Sequence, residues 1–126
     1  MPIASQLLPP GATQVTATSG TVAAANAVAT IAAVAGRTNY ITGFDISGGG
    51  ATLGSLVVVT VAGLQGGSIP FTLSVTAGVL LGNPMMSKQF PSPLPASGPN
   101  TAITVTCPSL GAGNTNNVSN AYGYYE

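Results

Sequence analysis

Acid–base, nucleophilic and metal chemistry draw on a short list of side chains, and this sequence supplies few of them. Arg37, Asp45, Lys88 and Glu126 are the only charged residues among 126, and there is no histidine or tryptophan. A carboxylate pair would have to join Asp45 to Glu126, the last residue given, so no acid and base partners are assembled. Asp45 lies on the polar parity of its strand and reads as a solvated carboxylate. Cys107, the single cysteine, ends the run Ile103-Thr104-Val105-Thr106-Cys107 on its apolar parity, where a free thiol is a small buried hydrophobe. Without a histidine as base it is no nucleophile. Metal sites need clustered His, Cys or carboxylate ligands. One chain offers none, and three Asp45 copies meeting on an oligomer axis are the only route to a cation site. The sequence predicts no catalytic residue, no cofactor and no metal.

The remaining motifs have plain readings. Gly111-Ala112-Gly113 opens like a phosphate-cradling loop, but Asn116 stands where the third glycine belongs and neither a capped helix nor a lysine follows. A turn entering the last strand is the better account. Asn117-Val118-Ser119 matches a glycosylation acceptor, which has meaning only for a secreted chain. Two cations cannot form the basic patch that phosphate binding draws on, so nucleic acid is excluded as a direct partner. Arg37 and Lys88 are read as possible partners of Asp45 or of a neighbour's carboxylate, in pairs worth about 0–1 kcal/mol when exposed. Tyr122 and Tyr124 share one parity and Tyr125 the other, which suits either core packing or an interface.

Strands must position all of these. Alternation is clearest at 68–75, with Ile69, Phe71, Leu73 and Val75 on one face, and at 101–107, with Ile103, Val105 and Cys107 inward. Pro70 places the first of these at a sheet edge or beside a bulge. In 38–47, Tyr40, Thr42, Phe44 and Ile46 share a side. The run 56–62 is apolar on both parities, so it should lie centrally or be covered on its second face. Further strands are expected at 13–18, 22–24, 28–34, 85–90 and 116–125. The alanine-rich stretch 22–35 could compete as a helix, but its β-branched residues and missing caps favour strand. Glycine and proline punctuate the chain, from a tight turn at Gly66-Gly67 to the proline cluster 91–99. The expected fold is all-β, a single-domain β-sandwich over residues 13–126, jelly-roll-like, with an extended N-terminal arm at 1–12.

Mean hydropathy is +0.47, yet neither apolar stretch, 21–36 or 53–64, reaches the roughly 18 uninterrupted residues of a spanning helix. The first ten residues show no secretory pattern. A surface wetted by Thr, Ser, Asn and Gln instead of charge suits permanent packing against other subunits. The arm carries Ile3, Leu7 and Leu8 between prolines. Each would gain about 1.5–3 kcal/mol by burial on a neighbour. With Tyr124 and Tyr125 they are the expected partner-binding residues.

The strings Gly36-Arg37-Thr38-Asn39-Tyr40-Ile41-Thr42-Gly43-Phe44, Ser47-Gly48-Gly49-Gly50-Ala51-Thr52, Phe90-Pro91-Ser92-Pro93-Leu94-Pro95-Ala96, Asn100-Thr101-Ala102-Ile103-Thr104-Val105 and Gly111-Ala112-Gly113-Asn114-Thr115 resemble those of small tailed-phage virion proteins, over about residues 20–125. The style is similar to that of capsid decoration, or cement, proteins with a jelly-roll-like sandwich. The resemblance implies a non-enzymatic homotrimer or homodimer, assembled in the host cytoplasm and seated on the outer face of a phage head, with the major capsid protein as partner. It supplies no catalytic residue. The Tyr-rich ending, 122–126, departs from the His-containing finish of that group. Competing expectations are a tail, collar or head-fibre protein, and a surface carbohydrate-binding sandwich that uses Tyr122, Tyr124 and Tyr125.

Overall fold

The computed structural model describes residues 8–77 and 84–126, and no helix occurs among them. Eight strands follow in order: β1 (Thr13–Thr18), β2 (Ala27–Ile31), β3 (Asn39–Gly49), β4 (Ser55–Ala62), β5 (Ile69–Val75), β6 (Pro84–Pro95), β7 (Ile103–Cys107) and β8 (Asn116–Tyr125). They form two antiparallel four-stranded sheets, β1-β8-β3-β6 and β2-β7-β4-β5. The pairs β1/β8, β2/β7, β3/β6 and β4/β5 join successively inner parts of the chain. The whole domain is therefore one long hairpin, turned at β4–β5 and rolled into a two-layer sandwich.

The alanine-rich stretch yields β2, with Ala27, Ala29 and Ile31 buried and Val28 and Thr30 outward. Residues 22–24 do not form the expected strand. Ala24 takes a φ of 51°, which interrupts an extended chain and leaves Val22 as a lone bridge to Asn117. Pro70 stands on β5, an outer strand, as expected.

The proline cluster is not a mere separator, because β6 continues to Pro95. It can do so because β6 has only β3 as a partner. The register jumps from Ile41↔Leu94 to Gly43↔Gln89, so residues 90–93 are set out of the ladder and Pro91 and Pro93 are not required to donate. The turn between β4 and β5 is also wider than a two-residue hairpin. Leu64 is buried and bridges Ala96, and Gly67 N–H closes the loop on Leu64 C=O at 3.1 Å.

The core is a wedge. Near β1 and β2 the inward side chains are small, among them Ala27, Ala29, Ser119 and Ala121, all at 0% exposure, and the sheets meet closely there. Toward β5 and β6 the gap is filled by Phe44, Phe71 and Phe90, with ring centroids 5.1–6.4 Å apart. Lys88 lies opposite Phe44 in register, and its amine stands 5.8 Å from the Phe71 ring centroid. Its aliphatic stem roofs the open side of the wedge while the charge stays in water.

Candidate functional site

Two outer faces and four buried polar residues carry whatever recognition this chain has. The buried group comes first, because it holds the faces in place. Asn39, Asn114, Asn117 and Ser119 are at most 3% exposed. Asn117 Nδ2 donates to the carbonyls of Ala25, Cys107 and Pro108 at 3.1–3.4 Å. Ser119 Oγ donates to Ala27 C=O at 3.0 Å, and Asn39 Nδ2 to Ala32 and Thr101 C=O at 2.9 Å. Asn114 Nδ2 donates to Gly49 and Asn116 C=O at 2.8 Å. Neutral amides thus join strands, loops and sheets where other proteins use ion pairs. On β8 the inward side is therefore the polar and small series Asn117, Ser119, Ala121 and Gly123. With Asn117 fully enclosed, its glycosylation pattern is closed to any modifying enzyme once the chain has folded.

The outer face of β1-β8-β3-β6 holds the tyrosines. A bulge at Thr42, skipped between Ile41 and Gly43 in both pairings of β3, switches the side that points inward. Ile41 is buried before the bulge, and Phe44 and Ile46 after it. Tyr40 consequently faces outward, not with Phe44, and stacks on Tyr124 with centroids 4.9 Å apart. Tyr124 is only 6% exposed, and its hydroxyl pKa is raised by burial, by the Glu126 charge and by Tyr40. Tyr125 is half-buried between Thr13 and Asn39. Leu8 is 42% exposed. Ile3 and Leu7 lie outside the described residues, and residues 9–12 close a turn through Ala12 N–H to Pro9 C=O at 3.1 Å.

Asp45 takes neutral partners on the same face. Tyr122 O–H donates to its Oδ2 at 2.6 Å and Asn120 Nδ2 to its Oδ1 at 2.9 Å. The Tyr122 hydroxyl pKa is raised, first by this hydrogen bond, then by burial and the Asp45 charge. Cys107 is at 0% exposure, and burial pushes its thiol from 9.0 up to about 11, against a smaller opposing pull from Asn117. Among the described residues there is no group of three or more His, Cys, Asp or Glu that could hold a metal ion.

An alkaline prediction follows. A folded pKa above the unfolded value means that the native state holds its proton more tightly, so the contribution is intact below the unfolded pKa and lost as pH rises through the folded one. For Cys107 that window runs from 9.0 to about 11. The urea midpoint should hold steady up to about pH 9 and then fall, and at pH 8 the native thiol should resist a disulfide reagent that labels the denatured chain within minutes. Equal labelling of native and denatured protein contradicts the burial.

The outer face of β2-β7-β4-β5 is of another kind. β2 presents Val28 and Thr30, β7 Thr104 and Thr106, β4 Leu56, Val58 and Thr60, and β5 Pro70, Thr72 and Ser74. None of these groups ionises. Leu56 is 72% exposed, Val58 45% and Val28 41%, and Leu53 beside the start of β4 is 75% exposed. The two-sided apolar character of β4 places it between β7 and β5 as expected, but within one chain its second face is left open.

Compared with protein-family models, with curated proteins and with solved structures, the chain finds no match in any of the three.

Proposed function

We propose that this chain is a non-enzymatic structural subunit of a virion, a decoration protein that seats the uncharged face of β2-β7-β4-β5 on the outer surface of a phage head and ties neighbouring capsomers together. The observation that carries the reading is the uncovered apolar side of β4, with Leu56 and Val58 in water on a face that holds no charge. Contiguous exposed apolar groups on a small domain mark a contact surface. The strand order 1-8-3-6 opposite 2-7-4-5 supports the jelly-roll reading, an architecture used by viral capsid domains. Four charges spread over 6588 Å² of surface support a life spent packed against copies and a lattice. The major capsid protein and sister copies are then the partners, and the capsid surface is the location.

The test is binding to undecorated heads of the phage that encodes the chain. Leu56→Lys with Val58→Lys removes two apolar contacts and sets two charges against the lattice, so occupancy should fall at least about a hundredfold while the melting curve stays nearly unchanged. Binding of the unaltered protein should vary little between low and physiological salt, since screening acts on charges this face lacks. Full occupancy by the double variant, or absence of the protein from purified particles, removes this function.

A further inference from the structure

The opposite face carries a second, independent site. We propose that Tyr122, Asn120 and Thr16, the first two held by Asp45, form a shallow binding site for a neutral pyranose sugar. Tyr122 stands opposite Gly43 in register, and Asn120 stands opposite Asp45. Its hydroxyl is nevertheless on Asp45 Oδ2 at 2.6 Å. The ring must therefore lie along the sheet toward the next pair, across the backbone of a residue without a side chain. With 38% of the residue exposed, its outer surface is left as a flat aromatic platform. Beside it a groove of about 350 Å³ is lined by Thr16, Ala17, Thr18, Asn120 and Tyr122. That volume sits at the small end of the roughly 300–1,000 Å³ typical of ligand sites.

The chemistry of the lining selects the ligand class. Neither cation serves the groove: Lys88 is turned over Phe71 on the core side and Arg37 lies in the connection before β3, so phosphate, sulfate and carboxylate groups have no counter-charge. A single carboxylate held by neutral donors is a poor site for a divalent ion, which takes several oxygen ligands. What remains is an apolar plate with an amide and hydroxyls in the lining, and the Asp45 carboxylate lies outside it, bound to the Asn120 amide and the Tyr122 hydroxyl. A pyranose matches it, with its C–H face on the Tyr122 ring, one hydroxyl accepting from the second N–H of Asn120 and another bonding to the Thr16 hydroxyl. Asp45 holds Asn120 at 2.9 Å and Tyr122 at 2.6 Å, so the amide and the ring are positioned before a ligand arrives. A groove this open should bind a free monosaccharide at about millimolar Kd. Many copies displayed on one particle would raise apparent affinity by about 10²–10⁴ against a glycan-covered surface.

The experiment is an amide NMR titration of the ¹⁵N-labelled protein with glucose, galactose, mannose and N-acetylglucosamine, each taken to about 100 mM, well past a millimolar Kd. At least one sugar should give saturable shifts centred on Thr16, Thr18, Asn120 and Tyr122. Tyr122→Ala and Asn120→Ala should each weaken that binding about tenfold or more, whereas Leu56→Lys on the other face leaves it unchanged. Should Tyr122→Ala fail to fold, Asn120→Ala and Thr16→Val carry the comparison. No saturable shift with any of the four sugars, or shifts undiminished in the folded variants, overturns the site.

Discussion

Asn117→Asp should melt about 15 °C or more below the unaltered protein, taking about 4 °C per kcal/mol for a domain of this size. Asn117 is wholly enclosed, and its Nδ2 serves three carbonyls drawn from the β1–β2 crossover and the end of β7. Aspartate replaces that donor with an oxygen. One buried and two part-buried acceptors lose their partner, and a carboxylate is set facing carbonyl dipoles of the same sign. A buried polar group left unmade costs about 1–3 kcal/mol, and more where charge is involved, so a loss of 4 kcal/mol or more is expected. The carboxyl escapes by holding a proton, which raises its folded pKa above the unfolded value of about 3.9. Its penalty therefore grows as pH rises through the folded pKa and shrinks toward acid. Thermal melts of the variant from pH 4 to pH 8 should show Tm falling with rising pH. A variant that melts within about 4 °C of the unaltered protein at pH 7 would mean that the amide is not the staple described.

This residue also marks the limit of what could be read in advance. Period two in 68–75 and 101–107 placed β5 and β7 and their buried faces, because in those strands apolar residues alone fill the inward positions. Pro70 located an outer strand for the same local reason: a missing N–H is tolerated only where no partner waits. The two-sided apolar run 56–62 calls for a central position or a covered second face, and β4 takes the first, between β7 and β5. In β8 the rule inverts. Val118 and Tyr122 point outward, while Asn117 and Ser119 point inward, because the sheets approach so closely beside β2 that carbonyls of one layer are within hydrogen-bonding reach of the other. Alternation cannot signal this, since it assumes that polar means wet.

The bulge at Thr42 hid the second half of the arrangement. A strand read at constant parity puts Tyr40 beside Phe44 and Ile46, whereas one skipped residue sends Tyr40 outward onto Tyr124 and keeps Phe44 and Ile46 inside. The shared parity of Tyr122 and Tyr124 suits either core packing or an interface, and the structure separates the two residues. Tyr124 is covered by its own chain and Tyr122 is the accessible ring, held by Asp45. The link between Tyr122 and Asp45 joins residues 77 positions apart, and its signal is legible only once β3 and β8 are known to pair.

Gly123→Ala tests that bulge directly, and its expected effect is nearly as large. A Cβ at this position would collide with the Tyr40 carbonyl oxygen and stand 3.2 Å from Ile41 Cα. The obstacles are backbone, so no side chain can swing aside. β8 must move off β3 where the bulge re-aims Phe44, a residue 1% exposed that touches both other phenylalanines. Overpacking in a well-filled interior costs about 1–3 kcal/mol, and contact with a paired strand belongs at or beyond the top of that range. A Tm lower by about 12 °C is expected. Gly98→Ala is the matching control: its Cβ meets nothing within 4 Å and its φ is not in the left-handed region, so it should melt within about 2 °C of the parent. If both alanines are tolerated alike, β8 has room against β3, and the bulge is not what fixes which tyrosine faces out. A Gly123→Ala protein that folds but has moved β8 should also lose the raised Tyr122 pKa, because the hydroxyl would no longer reach Asp45. Its phenol would then titrate near the ordinary value of about 10. Ultraviolet titration of the variant would separate a strand displaced as a whole from a fold merely weakened.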